Sequence, residues 1–114
     1  MRALLIPVDG PPREVNLPGT KGSRFMRSLR TLIGTRCAER IQVTGRWEAW
    51  LDEDGSAAGK PVNEAATRIA RDYGTGCALL GTVVITGRDH AGDPAGLSPA
   101  QAGIILGRIA APSA

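Results

Sequence analysis

Four places in the chain combine residue types that do chemistry. Asp89 and His90, with Asp93 three residues further on, set two carboxylates about the single histidine. Such a trio can touch a metal or shuttle a proton. A structural zinc site needs four ligands, and no second His or nearby Cys accompanies this one, so the segment reads as an exposed Gly/Pro-containing loop. Asp52-Glu53-Asp54-Gly55 begins like a calcium loop. Its later ligands fail, because Asn63 stands where the bidentate glutamate belongs, and an acidic turn is the better reading. Gly76 to Gly81 has the outer spacing of a phosphate loop. It lacks the Lys and Ser/Thr after the last glycine and runs into a strand instead of a helix. Cys37 and Cys77 lie forty residues apart with no histidine positioned to activate a thiolate. Two buried free thiols are expected in a reducing compartment, with a disulfide as the alternative. No catalytic residue, no metal ligand and no cofactor is assigned on these grounds, and the chain reads as a non-enzyme.

Binding residues are better represented. Arg24, Arg27 and Arg30 recur every third residue, which places them along one side of a helix. Lys21, Arg36 and Arg40 would extend the patch. It would serve a protein partner with an acidic surface, a phosphorylated ligand or, as a second option, nucleic acid. The plain alternative is a solvated helix face. No helix-turn-helix pattern or aromatic RNA-binding signature accompanies the arginines. Trp47 and Trp50 fall on opposite faces of one strand. One belongs to the core, and Trp50 is the candidate contact surface unless helices cover both faces.

The elements that must carry these residues follow from pattern. Residues 3–8 read as a buried strand ending near Pro7. Asp9 to Pro12 is a turn, and residues 13–17 alternate as a second, antiparallel strand. Ser23 is the expected cap of a helix to Ile33, with Phe25, Met26, Leu29, Leu32 and Ile33 as its apolar face and Gly34 as its stop. Residues 37–43 alternate, with Cys37, Ile41 and Val43 on one face. A tight turn at Thr44-Gly45 leads to a strand over 46–51. Asn63 or Pro61 starts a short helix carrying Ala66, Ile69, Ala70 and Tyr73. Residues 78–86 are apolar almost throughout and belong at the centre of a sheet. A loop covers 87–96. Ser98-Pro99-Ala100-Gln101 has the cap, proline and capping-box glutamine of a helix start. The order is β-β-α-β-β-α-β-α. It predicts an α+β domain spanning residues 1–114, with a disordered tail over 111–114. The sheet is expected to be mixed but mostly antiparallel, of about five strands, with two or three helices packed on it.

Composition sets the outer bounds. The chain has 114 residues, 42% hydrophobic and 22% charged, which suits one folded domain. Its 15 glycines and 8 prolines supply many turns. Aromatic residues make up only 4%, so few side chains are available to stack on bases. The net charge of +3 is uneven: nine basic and three acidic residues precede Trp47, and five basic and eight acidic residues follow from there. No apolar run approaches the roughly 20 residues of a membrane span. The segment Met1 to Asp9 is too short for a signal peptide and lacks its cleavage site. A cytoplasmic location without membrane contact is therefore expected. Oligomeric state stays open, with a homodimer through an uncovered sheet edge as one option.

Several segments together resemble a known family. They are Leu4-Leu5-Ile6-Pro7, Val15-Asn16-Leu17 and Leu29-Arg30-Thr31-Leu32-Ile33-Gly34. Trp50-Leu51-Asp52-Glu53-Asp54-Gly55 then leads through Gly59-Lys60-Pro61-Val62-Asn63-Glu64-Ala65-Ala66-Thr67 to Gly81-Thr82-Val83-Val84-Ile85-Thr86-Gly87. This pattern, over roughly residues 3–90, is similar to the family catalogued as domain of unknown function thirty-eight forty-six. The resemblance implies a small accessory protein of bacteriophages, plasmids or actinobacterial genomes, and it transfers no catalytic residue. The family's recurrent asparagine is Asn63 here, as a helix cap or as a ligand contact. In that setting the expected job is to bind and restrain a host factor.

Overall fold

The computed structural model describes residues 1–19 and 22–110. Its elements are β1 (Arg2–Ile6), β2 (Arg13–Asn16), α1 (Ser23–Ile33), β3 (Ala38–Gln42), β4 (Trp47–Asp52), α2 (Glu64–Asp72), β5 (Val83–Arg88), β6 (Pro94–Ala95) and α3 (Pro99–Ala110). The strands form one sheet in the order β2-β1-β5-β4-β3, and β6 pairs with the end of β5. Every pairing is antiparallel. The expected α+β class and element order hold. The late apolar strand does enter between the two hairpins, Leu4 facing Ile85 on one side and Ala49 facing Ile85 on the other.

Alternation along the strands divides the interior in two. On one face Leu4, Ile6, Trp47, Ala49, Leu51, Val83 and Ile85 pack under α2 and α3, against Ile69, Ala102 and Ile105. On the other Ala3, Leu5, Trp50 and Val84 pack under α1, against Phe25, Leu29 and Ile33. Helices therefore cover both faces, and the central strand β5 is buried on each side, as its unbroken apolar run requires.

Local chemistry explains the boundaries. Gly34 ends α1 in the left-handed conformation at φ 77°, its N–H bonding the Arg30 carbonyl at 2.8 Å. Gly22 stands at the cap position, and no side chain caps this helix, so Ser23 is its first residue and not its cap. The capping box of α3 forms as expected: the Ser98 N–H donates to Gln101 Oε1 at 2.8 Å, and the Gln101 N–H donates to Ser98 Oγ at 3.0 Å.

Three further expectations need correction. Strand β5 begins at Val83, because Leu79 and Leu80 are used earlier: Leu79 bonds Asn63 and Thr67, and Leu80 bridges Val62. The loop expected over 87–96 contains the end of β5 and all of β6. Gly87 permits that return, since a β-carbon there would meet the Gly96 and Ala95 carbonyl oxygens at 3.0 and 3.1 Å. Cys37 and Cys77 are free thiols but exposed. Cys37 precedes Ala38, the first residue of the β3 ladder, so the alternation that turns Ile41 inward does not govern it. The expected tail over 111–114 lies outside the described residues.

Candidate anion-binding face

The periodicity of α1 buries Phe25, Leu29 and Ile33, which turns Arg24, Arg27 and Arg30 outward. Arg24 and Arg27 are exposed and Arg30 is half-buried. Tertiary structure adds Arg13 from β2, and Arg36, expected as an extension of the patch, joins from the turn after α1. Two shallow, open hollows adjoin at Arg27. One lies between β2 and α1, lined by Arg13, Glu14, Val15, Asn16, Leu17, Arg27, Ser28, Thr31 and Leu32, with the Glu14 carboxylate drawn to Arg2 at 3.5 Å. The other lies at the end of α1, lined by Arg27, Arg30, Thr31, Gly34, Thr35 and Arg36. Among the described residues, no acidic side chain forms an ion pair with Arg13, Arg27, Arg30 or Arg36. Guanidiniums beside hydroxyls and a partly apolar floor can hold carboxylates or phosphates.

The expected patch changes in membership. Arg24 is exposed but lines neither hollow. Lys21 lies outside the described residues. Arg40 lies on the α1 side of the sheet, opposite Trp50 in register, but it is taken up by Glu48 and lines neither hollow. Arg13 joins instead. It pairs with Leu5 in the β1–β2 register, so it shares the α1 face with Val15. The alternation of Arg13 and Val15 is the sequence signal that could have placed it there.

Trp50 is not a contact surface. It is 5% exposed, with its ring edge-on to Phe25 at 5.7 Å. Its indole N–H donates to Thr86 Oγ1 at 2.9 Å, and the Arg40 guanidinium lies 5.6 Å from its ring centre. Of the two alternatives, helices covering both faces is the one the fold adopts. Asn63 is wholly buried. Its Oδ1 accepts from the Ala66 N–H at 3.0 Å. Its Nδ2 donates to the Ile6 and Gly81 carbonyls at 2.9 Å each. The side chain caps α2 and ties it to the sheet, with none of it exposed and both of its polar atoms bonded within the fold.

Glu48 is a feature the sequence reading missed. It is fully buried on β4. Its Oε2 lies 2.6 Å from Arg40 Nε, as a hydrogen bond, and 3.3 Å from Arg88 Nε, as an ion pair without that alignment. Its Oε1 has no hydrogen-bond partner among the described residues. Burial pushes the carboxyl above its ordinary value of 4.5, against the opposing pull of Arg40 and Arg88. Arg40 also donates to the Gly92 carbonyl, which holds the loop after β5. The three charges come from three neighbouring strands, and only the sheet order brings them together.

The remaining candidates resolve into turns. Asp52 accepts from Lys60 Nζ at 2.7 Å, the Thr35 hydroxyl at 2.7 Å and the Asp54 N–H at 2.9 Å. Those bonds lower its pKa to about 2, with Lys60 the largest cause. Asp89 accepts from the Ala91 and Asp93 N–H groups at 2.9 Å each, which shapes its own loop and leaves His90 exposed. Among the described residues, no group of three or more His, Cys, Asp or Glu side chains could hold a metal ion. No helix among them is long and apolar enough to cross a membrane.

No curated protein and no solved structure matches the chain. A family model does, and its match extends beyond the segments that first carried the resemblance to take in α3. With residues 1–110 matched, the chain belongs to the family described as domain of unknown function (DUF3846).

Proposed function

We propose that this is a non-enzymatic binding protein that uses its α1 face to hold an acidic surface of a protein partner. The observation that carries this reading is the meeting of Arg13, Arg27, Arg30 and Arg36, unpaired among the described residues, around two adjoining hollows. The hollows are open, which suits a macromolecular surface better than an enclosed small metabolite. Val15, Leu17 and Leu32 give the first hollow an apolar floor, as a protein interface would use. None of the four aromatic residues is exposed: Phe25, Trp47 and Trp50 are buried and Tyr73 is half-buried. That removes the stacking platform a single-stranded nucleic acid would want. The mobile-element setting implied by the family resemblance fits a small cytoplasmic protein that restrains a host factor.

The test is affinity capture from a host lysate, comparing wild type with the double variant Arg27→Glu/Arg30→Glu. Wild type is expected to retain a nuclease-resistant protein in stoichiometric amount. Charge reversal should weaken its capture by at least about tenfold, equivalent to ~1.4 kcal/mol. An unchanged partner in the double variant would overturn the assignment. Capture that is nuclease-sensitive, with affinity falling steeply as salt rises, would transfer the same arginines to phosphate binding.

A further inference from the structure

The four-residue strand β2 is an outer edge of the sheet, paired only with β1. Antiparallel strands alternate between pairs that exchange hydrogen bonds and pairs that do not. Just beyond β2, Met1 and Leu17 exchange both bonds, at 2.6 and 2.8 Å. Alternation from that pair assigns the inward bonds to Val15 and Arg13, opposite Ala3 and Leu5. The N–H and C=O groups of Glu14 and Asn16 therefore point away from the sheet. Both residues are exposed. Such a row of unpaired groups is a template for another strand.

By register, Arg13 and Val15 lie on the α1 face of this edge and Glu14 and Asn16 on the opposite face, while Glu14, Val15 and Asn16 border the hollows on both sides. Arg13 and Val15 line the hollow toward α1, which Arg27 completes. Asn16, with Arg2, Ser98 and Gln101, lines a second hollow on the opposite face, beside the start of α3. A strand laid along β2 would send alternate side chains into these two hollows. This is the arrangement by which sheet edges read extended peptides: backbone bonds give affinity, and the pockets give specificity. The α1 side is marked by two guanidiniums with no acidic partner among the described residues. In the other hollow, Arg2 lies 3.5 Å from Glu14, and the Ser98 and Gln101 side chains are bonded within the capping box.

We propose that the edge of β2 receives an extended segment of the protein partner as an added strand, with acidic side chains toward Arg13 and Arg27 and uncharged polar side chains toward Ser98. This rests on the reading of the α1 face as a protein-binding surface, and it names the form in which the partner binds.

The probe is a fluorescent octapeptide alternating Glu and Thr, followed by anisotropy. The decisive pair of variants is Glu14→Ala and Glu14→Pro. Both lose the same side chain, and only proline removes the outward N–H. Glu14→Pro should bind roughly tenfold more weakly than Glu14→Ala, with circular dichroism confirming that both variants fold. Should the proline variant not fold, hydrogen exchange on wild type decides: peptide binding must slow exchange of the Glu14 and Asn16 amides. Unchanged exchange at both amides, or no binding of the peptide to wild type, overturns the added strand. Binding that survives Glu14→Pro but is lost in Arg27→Glu/Arg30→Glu also overturns it, while leaving the charged-surface reading intact. Displacement of the peptide by a DNA duplex at equal concentration counts against it as well. So does a dimeric free protein whose Glu14 and Asn16 amides are already protected, since a second copy would then occupy the edge.

Discussion

Asp52 shows how a residue that looks like a ligand can instead be part of the scaffold. Its three bonds close the turn after β4 and fasten the end of α1 through Thr35. Its folded pKa of about 2 lies below the ordinary 3.8. The stability it adds is therefore fully present above about pH 4 and is lost as the pH falls toward 2. Asp52→Asn should lower stability by roughly 1–2 kcal/mol at neutral pH. In thermal melts, the gap from wild type should close between pH 4 and pH 2; a gap independent of pH would show that charge is not the cause. Glu48 runs the other way. Its raised pKa means that the folded state holds the proton more tightly, so the contribution of this group to stability declines as the pH rises above 4.5. The sequence did not announce it, because a single Glu in an alternating strand reads as a solvent-facing residue. Its partners are 8 and 40 residues away, at Arg40 and Arg88.

At the level of elements, legibility followed the strength of the local signal. The α1 stripe, the Gly34 stop and the α3 capping box each have a chemical cause within a few residues, and all three were readable. Strand β6 was not, since two residues carry no periodicity. The covering of Trp50 was also hidden: alternation says that Trp47 and Trp50 face opposite ways, but not that a helix lies over each. The basic face was half legible. Three arginines declare themselves by helical spacing and Arg36 by its place just after the helix, whereas Arg13 joins through strand register. Asn63 illustrates an element held by one side chain, as it caps α2 and bonds β1 and the entry to β5 together. Asn63→Ala should cost about 3 kcal/mol or more in a denaturant titration, from a lost cap and two orphaned carbonyls. Asn63→Asp keeps the accepting oxygen but loses both Nδ2 bonds, so it should also destabilise. A wild-type midpoint in Asn63→Asp would show that the cap alone matters.

For the molecule as a whole, the two cores share one sheet and above all one strand. Trp47 belongs to the core under α2 and α3, and Trp50 to the core under α1. Each tryptophan is thus a reporter for its own side. Variants Trp47→Phe and Trp50→Phe should give fluorescence transitions that coincide with each other and with circular dichroism once each is scaled to its own stability, because β5 binds both layers into one cooperative unit. Two separated transitions within a single variant would show that the layers melt independently.

The middle of the sheet is also the part of the chain made late. Both hairpins, β1–β2 and β3–β4, precede β5 in sequence, yet no ladder joins one to the other, and Val83–Arg88 fills the gap between them. During synthesis, some eighty residues must therefore emerge with two apolar strand edges open at once, the condition in which nascent chains associate wrongly. Cellular yield should depend on how quickly the ribosome passes this stretch and on the chaperones that meet it, as well as on the stability of the finished protein.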